Sequence, residues 1–236
     1  NAALYLGLWY DASSYPFYGD IAEIVMYDRD LATVERQRIE SYLALKWGVS
    51  LSQNTATNYV ASDDTVIWDA TANVSYTHDI AGIGVDALSE LNQKQSRSVN
   101  SDDLVTIGLG AIAGANISNT NTFAADRSFL LWGNNNGDIR YLRPYTNTTG
   151  INTRLARVWK VDNTKAVSNV EFCVPATTQA SHLLVNASDP TFSTTTTAIS
   201  LTAKTAAGVA SLCTSNLTFA DGAYFTLARF VQAPVG

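Results

Sequence analysis

Hydrophobic and polar positions along this chain follow two periods. Residues 31–47 place Leu31, Val34, Ile39, Tyr42, Leu43 and Leu45 near helical spacing, which predicts one amphipathic helix. Glu35 and Lys46 fall within that stripe. Gly48 suits the stop, and Lys46 suits the last turn, where the helix dipole is negative. Before the helix, residues 4–10 and 19–27 read as strands. In the second, Ile21, Glu23, Val25 and Tyr27 share one face, and Ala22, Ile24 and Met26 share the other. Two strands alone do not make a stable sheet, so this piece needs further strands.

Beyond the helix the chain reads as short strands between polar turns. The expected strands are 49–51, 65–68, 80–85, 104–109, 128–132, 154–161, 170–174, 182–185, 198–203, 208–213 and 224–230. Turns fall at Ser62-Asp63-Asp64, Asn134-Asn135-Asn136-Gly137-Asp138, Asn147-Thr148-Thr149-Gly150 and Asp221-Gly222, whose Asn, Asp and Gly residues tolerate positive φ. Short strands at near-regular spacing predict an antiparallel β-sandwich. A boundary is expected near residue 153, where an Asn/Thr/Gly-rich stretch ends.

Residues 19–29, Gly-Asp-Ile-Ala-Glu-Ile-Val-Met-Tyr-Asp-Arg, together with Glu35 to Gly48, resemble the closing strands and trailing helix of concanavalin-A-like (laminin-G-like) jelly-roll domains of large bacterial surface proteins. The resemblance covers roughly residues 4–50. The segments 66–69, 79–84, 91–96, 131–134, 157–161 and 221–228 are similar to the β-rich module that often trails that helix. It implies a jelly-roll remnant over 1–30, a connecting helix over 31–50, a β-rich module over 51–153 and a sandwich-like part over 154–236. It departs from the family pattern at Ala32, where a Ser or Asp cap is usual, so the cap is expected to be weaker or to shift to Asp30 or Thr33. The earlier jelly-roll strands, with any calcium or sugar ligands they carry, are absent from the sequence. With no initiator Met and a start in mid-pattern, the chain is expected to be a piece of a longer precursor.

Composition narrows the function classes. The 236 residues are 46% hydrophobic but only 15% charged, against ~25% in an average soluble protein. The net charge is −6 and no Lys/Arg run tracks a phosphate backbone, so nucleic acid is not an expected partner. No apolar run approaches the ~20 residues of a membrane-spanning helix. The two cysteines, Cys173 and Cys213, lie in expected strands; they form either a disulfide made in an oxidising compartment or two buried thiols.

Candidate chemistry is sparse. The two histidines, His78 and His182, stand apart, and no HExxH, GxSxG, P-loop or paired CxxC motif occurs. His78-Asp79 reads as half a triad or as a turn histidine. Trp9, Tyr10, Asp11, Tyr15, Phe17, Tyr18 and Asp20 form an aromatic loop able to stack on sugar rings and accept their hydroxyls, or else to pack into a sheet. Asn134, Asn136 and Asp138 have calcium-like oxygen spacing around Gly137, or make a plain hairpin turn. Asp63, Asp64 and Asp69 form a second acidic group. The five N-x-[ST] sequons, at Asn73, Asn116, Asn147, Asn186 and Asn216, match what chance gives in an Asn/Thr-rich chain.

The expectation is a non-enzymatic extracellular or cell-surface adhesin segment that binds or presents a glycan or surface polymer. The alternative is a subunit of an extracellular fibre or coat, joined to neighbouring copies by strand addition through its N-terminal strands.

Overall fold

The computed structural model describes residues 14–146, 150–193 and 195–232. The chain divides into two compact units, Asn1–Leu31 and Ala32–Gly236.

In the first unit, described from Ser14, residues 19–27 form no strand. A strand requires a ladder as well as an alternating sequence. Residues 19–27 have no ladder among the described residues, and Ile21, Ile24, Val25, Met26 and Tyr27 are exposed, at 42–67% of their full surface. The expected strand over 4–10 lies outside the described residues.

The second unit opens with helix α1 (Thr33–Trp47). Ala32 has no side-chain acceptor, so only half of a capping box forms: the Ala32 N–H donates to Glu35 Oε2 at 2.8 Å. The helix ends at Gly48, which is left-handed at φ 65° and donates to Ala44 O. A Cβ there would also lie 2.2 Å from Arg97 O. The buried face is Ser41, Ala44 and Leu45, while Val34 is exposed, so the true stripe is narrower than the sequence pattern.

The strands follow in order: β1 (Tyr59–Val60), β2 (Val66–Trp68), β3 (His78–Asp86), β4 (Leu91–Gln93), β5 (Gln95–Ser96), β6 (Thr106–Leu109), β7 (Ser128–Asn134) and β8 (Arg143–Pro144). Then come β9 (Thr153–Arg154), β10 (Trp159–Thr164), β11 (Val170–Pro175), β12 (His182–Asn186), β13 (Thr197–Ser200), β14 (Thr202–Ala206), β15 (Val209–Leu217) and β16 (Tyr224–Arg229). The fold is mainly β, with antiparallel sheets and one α-helix among the described residues.

A nine-stranded sheet runs β13-β12-β16-β10-β7-β3-β4, with β8 and β9 paired beside β16. A five-stranded sheet runs β14-β15-β11-β6-β5. Between them lies the main core, which includes Ile83, Ile107, Leu130, Trp132, Trp159, Phe172 and Phe225. Phe225 stacks parallel to Trp159 at 5.3 Å and meets Phe172 edge-on at 5.6 Å. The expected boundary near residue 153 does not separate two bodies: β10 pairs with β7, and β11 pairs with β6.

The chain passes from one sheet to the other at both edges. At Lys94 it leaves β4 in the larger sheet and enters β5 in the smaller; at Leu201 it leaves β13 and enters β14. Single residues make these corners, as in sandwiches whose strands switch sheets. The Lys94 N–H, turned out of the ladder, donates to Asn116 Oδ1 at 2.7 Å. The single strand expected over 198–203 is therefore two. Likewise 154–161 is split between β9 and β10, and 49–51 is no strand.

The outer face of the larger sheet is covered. Helix α1 and the β1–β2 hairpin bring Ala44, Leu45, Tyr59, Ile67 and Trp68 onto Ile80, Leu91, Phe129 and Leu131. The helix is tied to the hairpin where Val60 N–H donates to Ser41 Oγ at 3.0 Å and Gln37 Nε2 to Asn58 O at 3.0 Å. Further along, Tyr145, Ile151 and Phe192 cover Leu184 and Ala228. This double burial explains why β7 is apolar on both faces. On β3, Gly84 is required by contact, since a Cβ there would lie 2.2 Å from the Phe129 ring.

Candidate ligand groove

The outer face of the smaller sheet is covered only in part, by the loop through Ile112, which lies against Gly108 and donates to Glu171 and Gln95. Alternation sends Val170, Phe172 and Val174 of β11 into the core and turns Glu171 and Cys173 outward. Cys173 and Cys213 sit opposite each other on β11 and β15 and are joined by a disulfide. With Ile112 and Ala206 they form a small apolar island on this face. Beside it Glu171, 2% exposed, accepts from Lys204 Nζ at 2.6 Å, Ile112 N–H at 2.7 Å and Ser215 Oγ at 3.0 Å. Burial pushes the Glu171 carboxyl up, but Lys204 and these donors outweigh it and hold the group below the usual carboxylate range.

Between this island and the end of helix α1 runs a groove of about 320 Å³. One wall is Lys46, Trp47 and Gly48 with Arg97 and Val99; the floor includes Gln93, Gln95, Thr106 and Pro175; the far wall is Ala206, Val209 and Ser211. Trp47 keeps 40% of its surface exposed and Val99 62%. The amide of Gln95 is fixed twice to Ala113, accepting its N–H at 2.7 Å and donating to its carbonyl at 2.8 Å. Gln93 Nε2 donates to Gln95 O at 2.8 Å. Lys46 Nζ donates to Tyr42 OH at 2.6 Å and lies 5.6 Å from the centre of the Trp47 ring. The Gly48 corner fixes this wall, since Val99 N–H donates to Gly48 O at 2.9 Å.

The residues singled out from the sequence lie elsewhere. Trp9, Tyr10 and Asp11 are outside the described residues. Tyr15, Phe17 and Tyr18 are exposed at 81%, 57% and 90%, with Asp20 also exposed, so the described aromatics of the loop present their rings to solvent.

Asn134 and Asn136 do come together, beside a network of buried Arg157 and Asp79. Arg157, 5% exposed, donates from Nε to Gly137 O at 3.0 Å and from its terminal nitrogens to Asp102 O at 2.9 Å and Asp102 Oδ2 at 3.0 Å; Asn136 Oδ1 lies 3.5 Å away. Buried Asp79 lies 3.7 Å from Arg157 and accepts from Asn134 Nδ2 and Asn100 Nδ2, each at 2.7 Å. Asn134 Oδ1 accepts Asn136 N–H at 2.8 Å, and Asp138 pairs with Arg140. The oxygens with calcium-like spacing are thus engaged by protein donors. Among the described residues no group of three or more His, Cys, Asp or Glu side chains is placed to hold a metal ion. Asp63 and Asp64 pair with Arg127 and Arg38, and Asp69 caps the turn at Thr71 and Ala72.

His78 is exposed, and its neighbour Asp79 belongs to the Arg157 network. His182 Nδ1 lies 2.9 Å from Ser181 Oγ and Nε2 lies 3.3 Å from Ser200 Oγ, so its ring is bracketed by hydroxyls. Sequence reasoning missed Trp47, Gln93, Arg97 and Val209 as a group. The available signal was Trp47, an indole off the buried Ser41–Ala44–Leu45 face of its helix.

A family model described as Domain of unknown function (DUF8202) matches residues 35–223. The chain belongs to this family. The DUF8202 match spans every residue named above as lining the groove, and runs from the first turn of α1 to the turn before β16. No curated protein and no solved structure matches the chain. No helix among the described residues is long and apolar enough to cross a membrane.

Proposed function

We propose that this chain is a non-enzymatic binding segment of an extracellular surface protein, and that the groove beside Trp47 holds a glycan-type ligand. The observation that carries this reading is the groove itself: an exposed indole at the end of α1, across from the fixed side-chain amides of Gln93 and Gln95. Sugar-binding sites pair an apolar platform with a few oriented polar groups, and the groove's volume falls within the range of small-ligand sites. Among the described residues, no carboxylate or histidine lines it, so its side chains are suited to holding rather than to proton transfer. The disulfide accords with an oxidising compartment, and the resemblance of residues 4–50 to jelly-roll surface domains accords with a cell-surface setting. Screening the wild-type protein and Trp47→Ala on an oligosaccharide array tests the reading. Wild-type binding that the variant loses supports it; equal binding by both places the ligand elsewhere.

One observation favours a second reading, a fibre or coat subunit joined by strand addition. Ile21, Ile24, Val25, Met26 and Tyr27 form a β-prone, exposed run with no ladder among the described residues, which accords with a strand awaiting a sheet edge. Its test is to delete residues 1–27 and measure assembly by light scattering and electron microscopy. Assembly that survives the deletion overturns it.

A further inference from the structure

We infer that the groove selects an acidic carbohydrate, one whose sugar rings carry carboxylate or sulfate groups. This deepens the proposed function and rests on it. The chain as a whole is acidic, with 21 Asp and Glu against 15 Lys and Arg. The groove reverses that balance. Lys46 and Arg97 line it, and no Asp or Glu among the described residues does. A ligand bearing anions meets attraction here and repulsion over much of the remaining surface, which favours this site for such a ligand.

Arg97 is the sharper element. Its Nε donates to Ser98 O at 3.5 Å, and its two terminal nitrogens have no partner among the described residues. A planar guanidinium with its outer donors unspent matches the paired oxygens of a carboxylate or sulfate. Lys46 adds a second positive charge 5.0 Å from the Tyr42 ring centre and 5.6 Å from that of Trp47. A sugar ring stacked on the indole would therefore keep its acidic substituent within the field of both cations. Asp103, whose carboxyl feels the charge of Arg97, is 5% exposed and pushed upward, chiefly by burial.

The test is calorimetric titration of the intact chain with three probes: an oligogalacturonate, its fully methyl-esterified counterpart and a sulfated galactan oligomer. The ester keeps the ring shape and removes the charge. The expected result is that an acidic probe binds at least about tenfold more tightly than the ester, that added salt weakens it, and that Arg97→Gln weakens the acidic probe about tenfold and the ester by much less. Binding of the galacturonate or of the sulfated oligomer identifies carboxylate or sulfate as the source of charge. Equal affinity for acid and ester, abolished for both by Trp47→Ala, overturns the charge selection and leaves the glycan reading standing. Binding of none of the three by protein whose circular dichroism shows it folded overturns the inference; a wild-type oligosaccharide array that is also blank overturns the glycan reading with it.

Discussion

The two outer faces of this sandwich are built from the same alternating strands yet have opposite fates. On the larger sheet, outward residues such as Phe129, Leu131 and Ile80 are large and apolar, and the helix, hairpin and loops cover them. On the smaller sheet the outward positions are Thr106, Glu171, Ser211 and Lys204, with a disulfide where a larger apolar island would otherwise be needed. A face with little apolar surface has little need of a covering layer. Only the loop through Ile112 packs on it, and the rest of the face is left as a groove beside the end of α1. On the proposed reading, the fully covered face supplies stability and the partly covered one supplies the binding surface.

Substitutions on the two faces should separate those roles. The largest effect is expected at Trp68, which is fully buried in the covered face. Trp68→Ala should cost about 3–5 kcal/mol in urea unfolding. Next, replacing Cys173 and Cys213 together by Ala should cost about 2–4 kcal/mol, because the bridge closes a loop with a sequence separation of 40 residues. Gly48→Ala should cost about 1–3 kcal/mol and shift the groove wall, since it strains a left-handed residue pressed on Arg97 O.

A fourth effect depends on pH. Asp103 anchors the loop that carries Arg97 and Val99, accepting Ser98 N–H at 3.0 Å and Val105 N–H at 3.2 Å. Burial pushes its carboxyl from 3.8 up to about 7. The unfolded chain then releases this proton at lower pH than the folded one, so between those values the folded state binds more protons. Its contribution to stability is full below about pH 4 and is lost as pH rises towards 7. Thermal unfolding of Asp103→Asn should start from a lower stability, because the amide can accept only one of the two N–H bonds, and should show a flatter profile over that window. An unchanged slope would mean that Asp103 ionises normally.

How much of this was legible in the sequence follows from how local each signal is. The stop of α1 was readable because left-handed geometry at Gly48 is a property of one residue. The strands β7, β11 and β16 were readable because a run of alternating or continuous apolar residues needs only a face to pack on. The strand expected over 19–27 is not formed among the described residues; its pattern is local, whereas a ladder requires a partner, and the partner expected over 4–10 lies outside them. The corner at Leu201 was invisible because a strand can change sheets without breaking its polar–apolar rhythm. Asn134 and Asn136 were singled out for their spacing; that Asn134 bonds Asp79 and Asn136 lies beside Arg157 depends on contacts distant in sequence. The groove escaped for the same reason. Trp47, Arg97, Pro175 and Ser211 are far apart in sequence, and the sheet-switching at Lys94 brings the second of them beside the helix end.

The smallest stability effect should accompany the largest functional one. Trp47→Ala, at the exposed end of α1, should change unfolding by less than about 0.5 kcal/mol while abolishing ligand binding. The most direct measurement is amide-shift mapping of the isotope-labelled chain titrated with the oligogalacturonate, in wild type and in Trp47→Ala. The account predicts wild-type shifts clustered at Trp47–Gly48, Gln93–Val99 and Ser211, and none in the variant. Shifts clustered instead at Tyr15, Phe17 and Tyr18, or shifts that persist when Trp47 is removed, would contradict the assignment of the groove as the binding site.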